Sequence, residues 1–426
     1  MKKAIWSLFL FFFSSLFADQ FIELQEELRQ AEAQFERAKK GYMFGNWDGW
    51  RYKIANKGVN FISSYFTDMI GNPVGGAAQG FAYCGSLGLA MDVDFERAAD
   101  IPGFEFFVSA VWRTGTNLSR TKIKNQFPVQ QLFGSETVKL NELYLRESLF
   151  DGRWVLKAGR LNAGNDFLQS NLYYQFVSNA FDGNPVAIFF NIPTFSAYPN
   201  ATWGAYTSFI PYERVLAKAA IYNANSKISR NSYHGLNFTF ESTNGAVLVS
   251  ELSYFVNQEE DDEGMAGTYK VGYVYLTGAT QTFSNRTVDG DWSAYAQLEQ
   301  VIYRPDGGET NRALSPFLAL LFSPKEKNLF PFYTIAGLVY QGPFSNRPDD
   351  SFNLGVAYGK YSTDLANTES QSGKPKQNYE AVIELNYWFQ VNQWCVFTPD
   401  FQFIIHPRGL EIPNAFCIGA QIGFVL

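Results

Sequence analysis

Along most of the chain, apolar residues recur at every second position, the period of an extended strand rather than of a helix. Over 81–95, Phe81, Tyr83, Gly85, Leu87, Leu89, Met91, Val93 and Phe95 make one face. Ala82, Cys84, Ser86, Gly88, Ala90, Asp92 and Asp94 make the other. In 379–389, Tyr379, Ala381, Ile383, Leu385, Tyr387 and Phe389 alternate with Glu380, Val382, Glu384, Asn386 and Trp388. The chain closes with Phe416, Ile418, Ala420, Ile422, Phe424 and Leu426 opposite Gly419, Gln421 and Gly423. Such runs predict strands near 59–70, 81–95, 104–113, 139–147, 153–161, 202–210, 214–223 and 246–256. Eight more fall near 267–277, 291–303, 313–323, 330–341, 351–361, 377–390, 393–405 and 415–426. A seventeenth run, 236–241, is the shortest; an even strand count keeps both ends on one side, so it is assigned to a hairpin within an external loop.

Alternation alone also describes a soluble β-sandwich, whose strands average about 5–6 residues. The runs here are typically 9–13 residues, the length a tilted strand needs to cross a bilayer. Tyr, Trp and Phe gather near their ends, as in interfacial girdles, and the polar face suits a wet lumen. The fold class expected is all-β membrane: a closed antiparallel transmembrane β-barrel of sixteen strands. Tight turns at Phe150–Arg153 and Pro211–Arg214 are read as periplasmic. The long connections 114–138 and 162–201 are read as extracellular or folded inward, and a long aromatic loop in a compact protein usually has a function.

The N-terminus departs from this period. Lys2 and Lys3 followed by the greasy stretch Ala4–Phe17 read as a signal peptide over 1–18, cleaved after Ala18. Leu24, Leu28, Ala31, Phe35 and Ala38 then follow a coiled-coil seam. Residues 19–43 are therefore expected to be a periplasmic helical arm, too short to be stable alone and a candidate for self-association. Residues 44–426 are expected to form the barrel domain.

Composition narrows the class. The 426 residues are 46% hydrophobic, 17% aromatic and 18% charged, too aromatic and too weakly charged for a disordered chain. Loss of the signal removes two lysines, leaving 32 basic against 41 acidic residues and a charge of −9. That acidity argues against a nucleic-acid partner. Cys84, Cys395 and Cys417 form no CxxC pair, and His234 and His406 lie 172 positions apart. No histidine-based zinc site, metal ligand set, cofactor or catalytic residue is expected.

Asn46–Trp50, Lys57–Phe61, Asn141–Leu145, Leu149–Arg153, Ala158–Leu161 and His234–Phe238 form an ordered set of segments. Gly267–Val271, Arg347–Asp350, Tyr379–Val382 and Pro399–Pro407 continue the order to the C-terminus. Together they resemble the carbohydrate-selective porin family, the glucose porins of Gram-negative outer membranes. The terminal Leu426 departs from the Phe that often ends outer-membrane barrels. The resemblance implies a sixteen-stranded outer-membrane barrel that conducts monosaccharides by diffusion.

Parity assigns the lumen independently of that resemblance. Glu105, Ser109 and Arg113 point inward from 104–113, Glu142, Tyr144 and Arg146 from 139–147, and Lys157 from 153–161. Arg160 leads into the long connection with Asn165 and Asp166, while Asp400 and Gln402 oppose Phe401 and Phe403. Arg113, Glu142, Tyr144, Arg146, Lys157, Arg160, Asn165, Asp166, Asp400 and Gln402 are thus the candidate channel constriction. Sugars suit such a lining: Arg supplies a planar donor fork and carboxylates accept. Weak binding lets a conducting site release what it admits. The partners expected are monosaccharides, small polar solutes and outer-membrane lipid. Two rivals stand beside this reading: a structural barrel or adhesin, and a barrel lipase, which would need a serine beside a positioned base.

Overall fold

The computed structural model describes residues 41–426 except 46, 134, 182, 259–261, 263 and 309. The expected signal 1–18 and the helix of 20–40 lie outside the described residues. Sixteen antiparallel strands close into one barrel. They are β1 (Val59–Val74), β2 (Gly80–Asp94), β3 (Phe104–Gly115), β4 (Thr137–Leu149), β5 (Trp154–Leu161), β6 (Thr202–Tyr212), β7 (Val215–Asn223) and β8 (Ala246–Val256). The circuit continues with β9 (Gly267–Gln281), β10 (Thr287–Gln300), β11 (Ala313–Phe322), β12 (Phe332–Gln341), β13 (Ser351–Lys360), β14 (Tyr379–Asn392), β15 (Cys395–Ile405) and β16 (Ala415–Val425). Closure is direct, with β1 pairing β16 from Ser64↔Val425 to Val74↔Phe416. Among the described residues no sheet edge is left to template aggregation.

The expected faces hold. Leu89, Ile383, Leu385 and Ile418 are exposed on the outer wall, with Leu87 and Ile422 half-buried beside them. Met43 N donates to Val425 O at 2.8 Å, so both described ends meet at one rim. The short turns share that rim. Phe150, Asp151 and Gly152 all take positive φ in the turn between β4 and β5, a geometry that Gly adopts without steric cost.

Two departures from the expected pattern have physical causes. The hairpin expected at 236–241 does not form; the segment is a loop without ladder bonds. Its backbone is satisfied by rim side chains instead: Arg160 Nη1 donates to Asn237 O at 2.7 Å, and Trp203 Nε1 to Phe238 O at 2.9 Å. The second is a bulge in β4, where the register with β3 jumps between Val108↔Leu143 and Ala110↔Leu140. Ser109 Oγ receives Asn141 Nδ2 at 3.1 Å and Glu142 N at 3.2 Å, so two consecutive residues of β4 face it. Strict alternation from Glu142 back to Thr137 would turn Lys139 outward; the bulge turns it in.

Two connections fold into the barrel. Connections 116–136 and 162–201 carry Phe127, Val129, Phe167, Phe176, Phe181 and Ile188 into a buried cluster with wall residues Phe317 and Tyr333. Phe176 meets Phe317 at 5.6 Å and Phe127 meets Tyr333 at 5.2 Å, both edge-on. This explains why Phe317–Phe322 is apolar on both faces: its inner face is covered by chain rather than by water.

Candidate functional site

A connection inside a barrel must find partners for its own backbone groups. Inward-facing side chains supply them along 162–201. Glu142 of β4 accepts from Asn162 N at 3.0 Å, and Glu251 of β8 accepts from Leu168 N at 3.1 Å. Gln297 of β10 donates to Leu168 O at 3.1 Å. Glu384 of β14 accepts from Val177 N at 2.7 Å and Ser178 N at 3.0 Å, and Asn386 donates to Gln175 O at 3.0 Å. The shorter connection is seated alike: Glu380 accepts from Phe127 N at 2.7 Å, and Gln402 donates to Val129 O at 2.9 Å.

The ten sequence-expected residues fall into distinct settings. Arg113 is buried on β3 with its guanidinium 4.9 Å from the Tyr198 ring centroid, a cation–π contact from wall to connection. Glu142 also holds Asn165, whose Nδ2 donates at 2.8 Å. Lys157 and Asp166 form a buried ion pair at 3.1 Å, and Tyr222 Oη donates to Asp166 at 2.9 Å. Arg160 binds the carbonyls of Ala201 and Asn237, at 2.6 and 2.7 Å. Arg146 pairs with Glu105 at 3.3 Å, and Tyr144 stacks on Phe107 with ring centroids 5.0 Å apart.

These eight residues share the β3–β5 wall and the connection it carries. Asp400 and Gln402 stand elsewhere, on β15, hydrogen-bonded to one another at 2.7 Å and grouped with Glu384 and Val129. The structure does not bring them into the Arg113–Glu142 group. Lys139, Tyr198 and Phe107 escaped the sequence reading. Lys139 Nζ donates to Asn200 Oδ1 at 2.8 Å, but only the bulge reveals its direction. Phe107 carried a signal: an aromatic residue at an inward position, between Glu105 and Ser109.

No group of three or more His, Cys, Asp or Glu able to hold a metal occurs among the described residues. The wall offers fixed donors, acceptors and aromatic faces, a set suited to exchanging hydrogen bonds with a neutral polyol. Residues 78–426 match the family described as carbohydrate-selective porin, OprB family. The chain belongs to that family. This porin is accordingly an outer-membrane channel and not an enzyme. It is 26% identical to Porin B of Pseudomonas aeruginosa, with 96% of each chain covered. The porin's fold matches the high pH structure of Pseudomonas putida OprB with a TM-score of 0.84 at 24% identity, over 91% of this chain and 99% of that one. It matches the low pH structure of the same protein with a TM-score of 0.60 at 22% identity, again over 91% and 99%.

Proposed function

We propose that this porin lets monosaccharides such as glucose diffuse passively across the outer membrane, through a lumen narrowed by 116–136 and 162–201. The observation that carries the reading is the seating of 162–201 on inward-facing wall side chains, with Asn165 drawn to Glu142 and Tyr198 to Arg113. Arg113, Glu142, Tyr144, Arg146 and Asn165 present donors, acceptors and a ring to the solute. Lys157, Arg160, Asp166, Asp400 and Gln402 hold the narrowing connections in place. Mixed charge signs favour polar neutral solutes over strongly charged ones. In this reading residues 1–18 are a cleaved signal peptide, and 19–43 form a periplasmic arm open to self-association.

Liposome swelling with the purified mature chain tests the proposal. Glucose should enter faster than a sugar acid of similar size. Absence of flux for every solute would overturn the reading in favour of a structural barrel.

A further inference from the structure

Phe107 and Tyr144 are paired across β3 and β4, and their rings stack at an interplanar angle of 26°. Both share the inward phase of Glu105 and Arg146, the adjoining pair in the same ladder. Both are only half-buried. Phe107 belongs to neither of the buried apolar clusters among the described residues. A ring that faces the lumen and stays half-buried costs stability through its hydration, so its setting invites a ligand-based explanation.

The surroundings are ordered by register. On β2 the partner of Phe107 is Asp92, which pairs in turn with Asn60 on β1 and is hydrogen-bonded to it. Arg146 Nη1 lies 3.3 Å from Glu105, whose side chain is 29% exposed. On the other flank Tyr144 pairs with Gly159 of β5, and Lys157 Nζ sits 5.5 Å from the tyrosine ring centroid. A Cβ at Gly159 would fall 2.7 Å from Tyr144 Cα, so glycine permits this close approach. The side of the stack towards β2 therefore meets short polar groups, while its β5 side is closed by lysine.

We propose that Phe107 and Tyr144, flanked by Asn60, Asp92, Glu105 and Arg146, form a hexose-binding subsite on the short-turn side of Glu142. The site would hold a neutral pyranose after it passes the Glu142–Asn165 contact. The apolar C–H face of a pyranose covers the exposed ring, and its hydroxyls donate to Asp92 and Glu105 and accept from Arg146. Phe107 lies six residues from Arg113 along β3, roughly 20 Å of strand, so this subsite is separate from the Arg113–Tyr198 contact. The inference rests on the monosaccharide reading above.

Planar-bilayer recording of the full mature chain, with D-glucose as blocker of ion current, tests it. Block is expressed as a fraction of each variant's own sugar-free current. Phe107→Leu keeps apolar bulk and should need about three- to tenfold more glucose for equal block. Phe107→Tyr should restore wild-type block. If wild-type current is blocked and Phe107→Leu follows the same concentration curve, the subsite is refuted while the monosaccharide reading stands. If glucose does not block the wild type at all, the monosaccharide reading fails first. Should Phe107→Leu not insert, Asp92→Asn provides the same comparison, with weakened block expected and unchanged block contradicting the subsite.

Discussion

The β3–β4 wall near the short-turn rim and the β14–β15 wall, separated from it by β2, β1 and β16, carry the same alternation, polar inward and apolar outward. They differ in what covers the polar face. On β14 and β15, Glu380, Glu384, Asn386, Asp400 and Gln402 are all 2% exposed or less, and main-chain groups of the inward connections take up much of their hydrogen bonding. On β3 and β4, Glu105, Phe107 and Tyr144 remain half-exposed, and their partners are other side chains. Inward polarity is thus not equivalent to pore lining. In one wall it anchors chain; in the other Glu142 still anchors Asn162, but Glu105, Phe107 and Tyr144 stay half-exposed.

Deleting 165–185 would break this comparison most severely. The β14 anchors would lose their donors and the lumen its filling, so single-channel conductance should rise and discrimination between sugars should vanish. Unchanged conductance would place the segment outside the solute path. Leu385→Arg probes the opposite face of the same strand. It lies at the middle of β14 and is exposed on the outer wall; folding into lipid vesicles should become about 2–4 kcal/mol less favourable. An unaltered folding equilibrium would mean that the faces are inverted.

A subtler change acts on the anchor itself. Glu384→Ala leaves Val177 N and Ser178 N without their acceptor, a loss of roughly 1–3 kcal/mol. Recorded currents should fluctuate between conductance levels as 162–201 loosens, and a steady wild-type trace would argue that this anchor is redundant. The smallest effect is expected on the other wall. Arg146→Lys keeps the charge facing Glu105 and should cost about 1 kcal/mol of stability or less. It should still weaken glucose block, because a point charge cannot reproduce the planar donor fork. Equal block in the variant would remove Arg146 from the solute path.

The strands were legible because each face of a long run must satisfy a different medium. The run read at 246–256 coincides with β8, and most other edges differ by a few residues. Lys139 was not legible, since one extra residue at Asn141–Glu142 reverses the phase of everything before it. Nor was the division between anchors and lining. Glu384 and Glu105 look alike as inward acids, and only the path of a connection more than two hundred residues earlier in the chain tells them apart. Leu236–Glu241 shows the converse: strand-like residues that pair with no strand and whose carbonyls bind rim side chains.

The central claim is that a neutral sugar and the ion current share one narrow path beside Arg113, Glu142 and Asn165. Its most direct test is the ion current through single wild-type channels in a planar bilayer as D-glucose is raised. The account predicts a graded, saturating fall in current; a current independent of glucose at every concentration would contradict it.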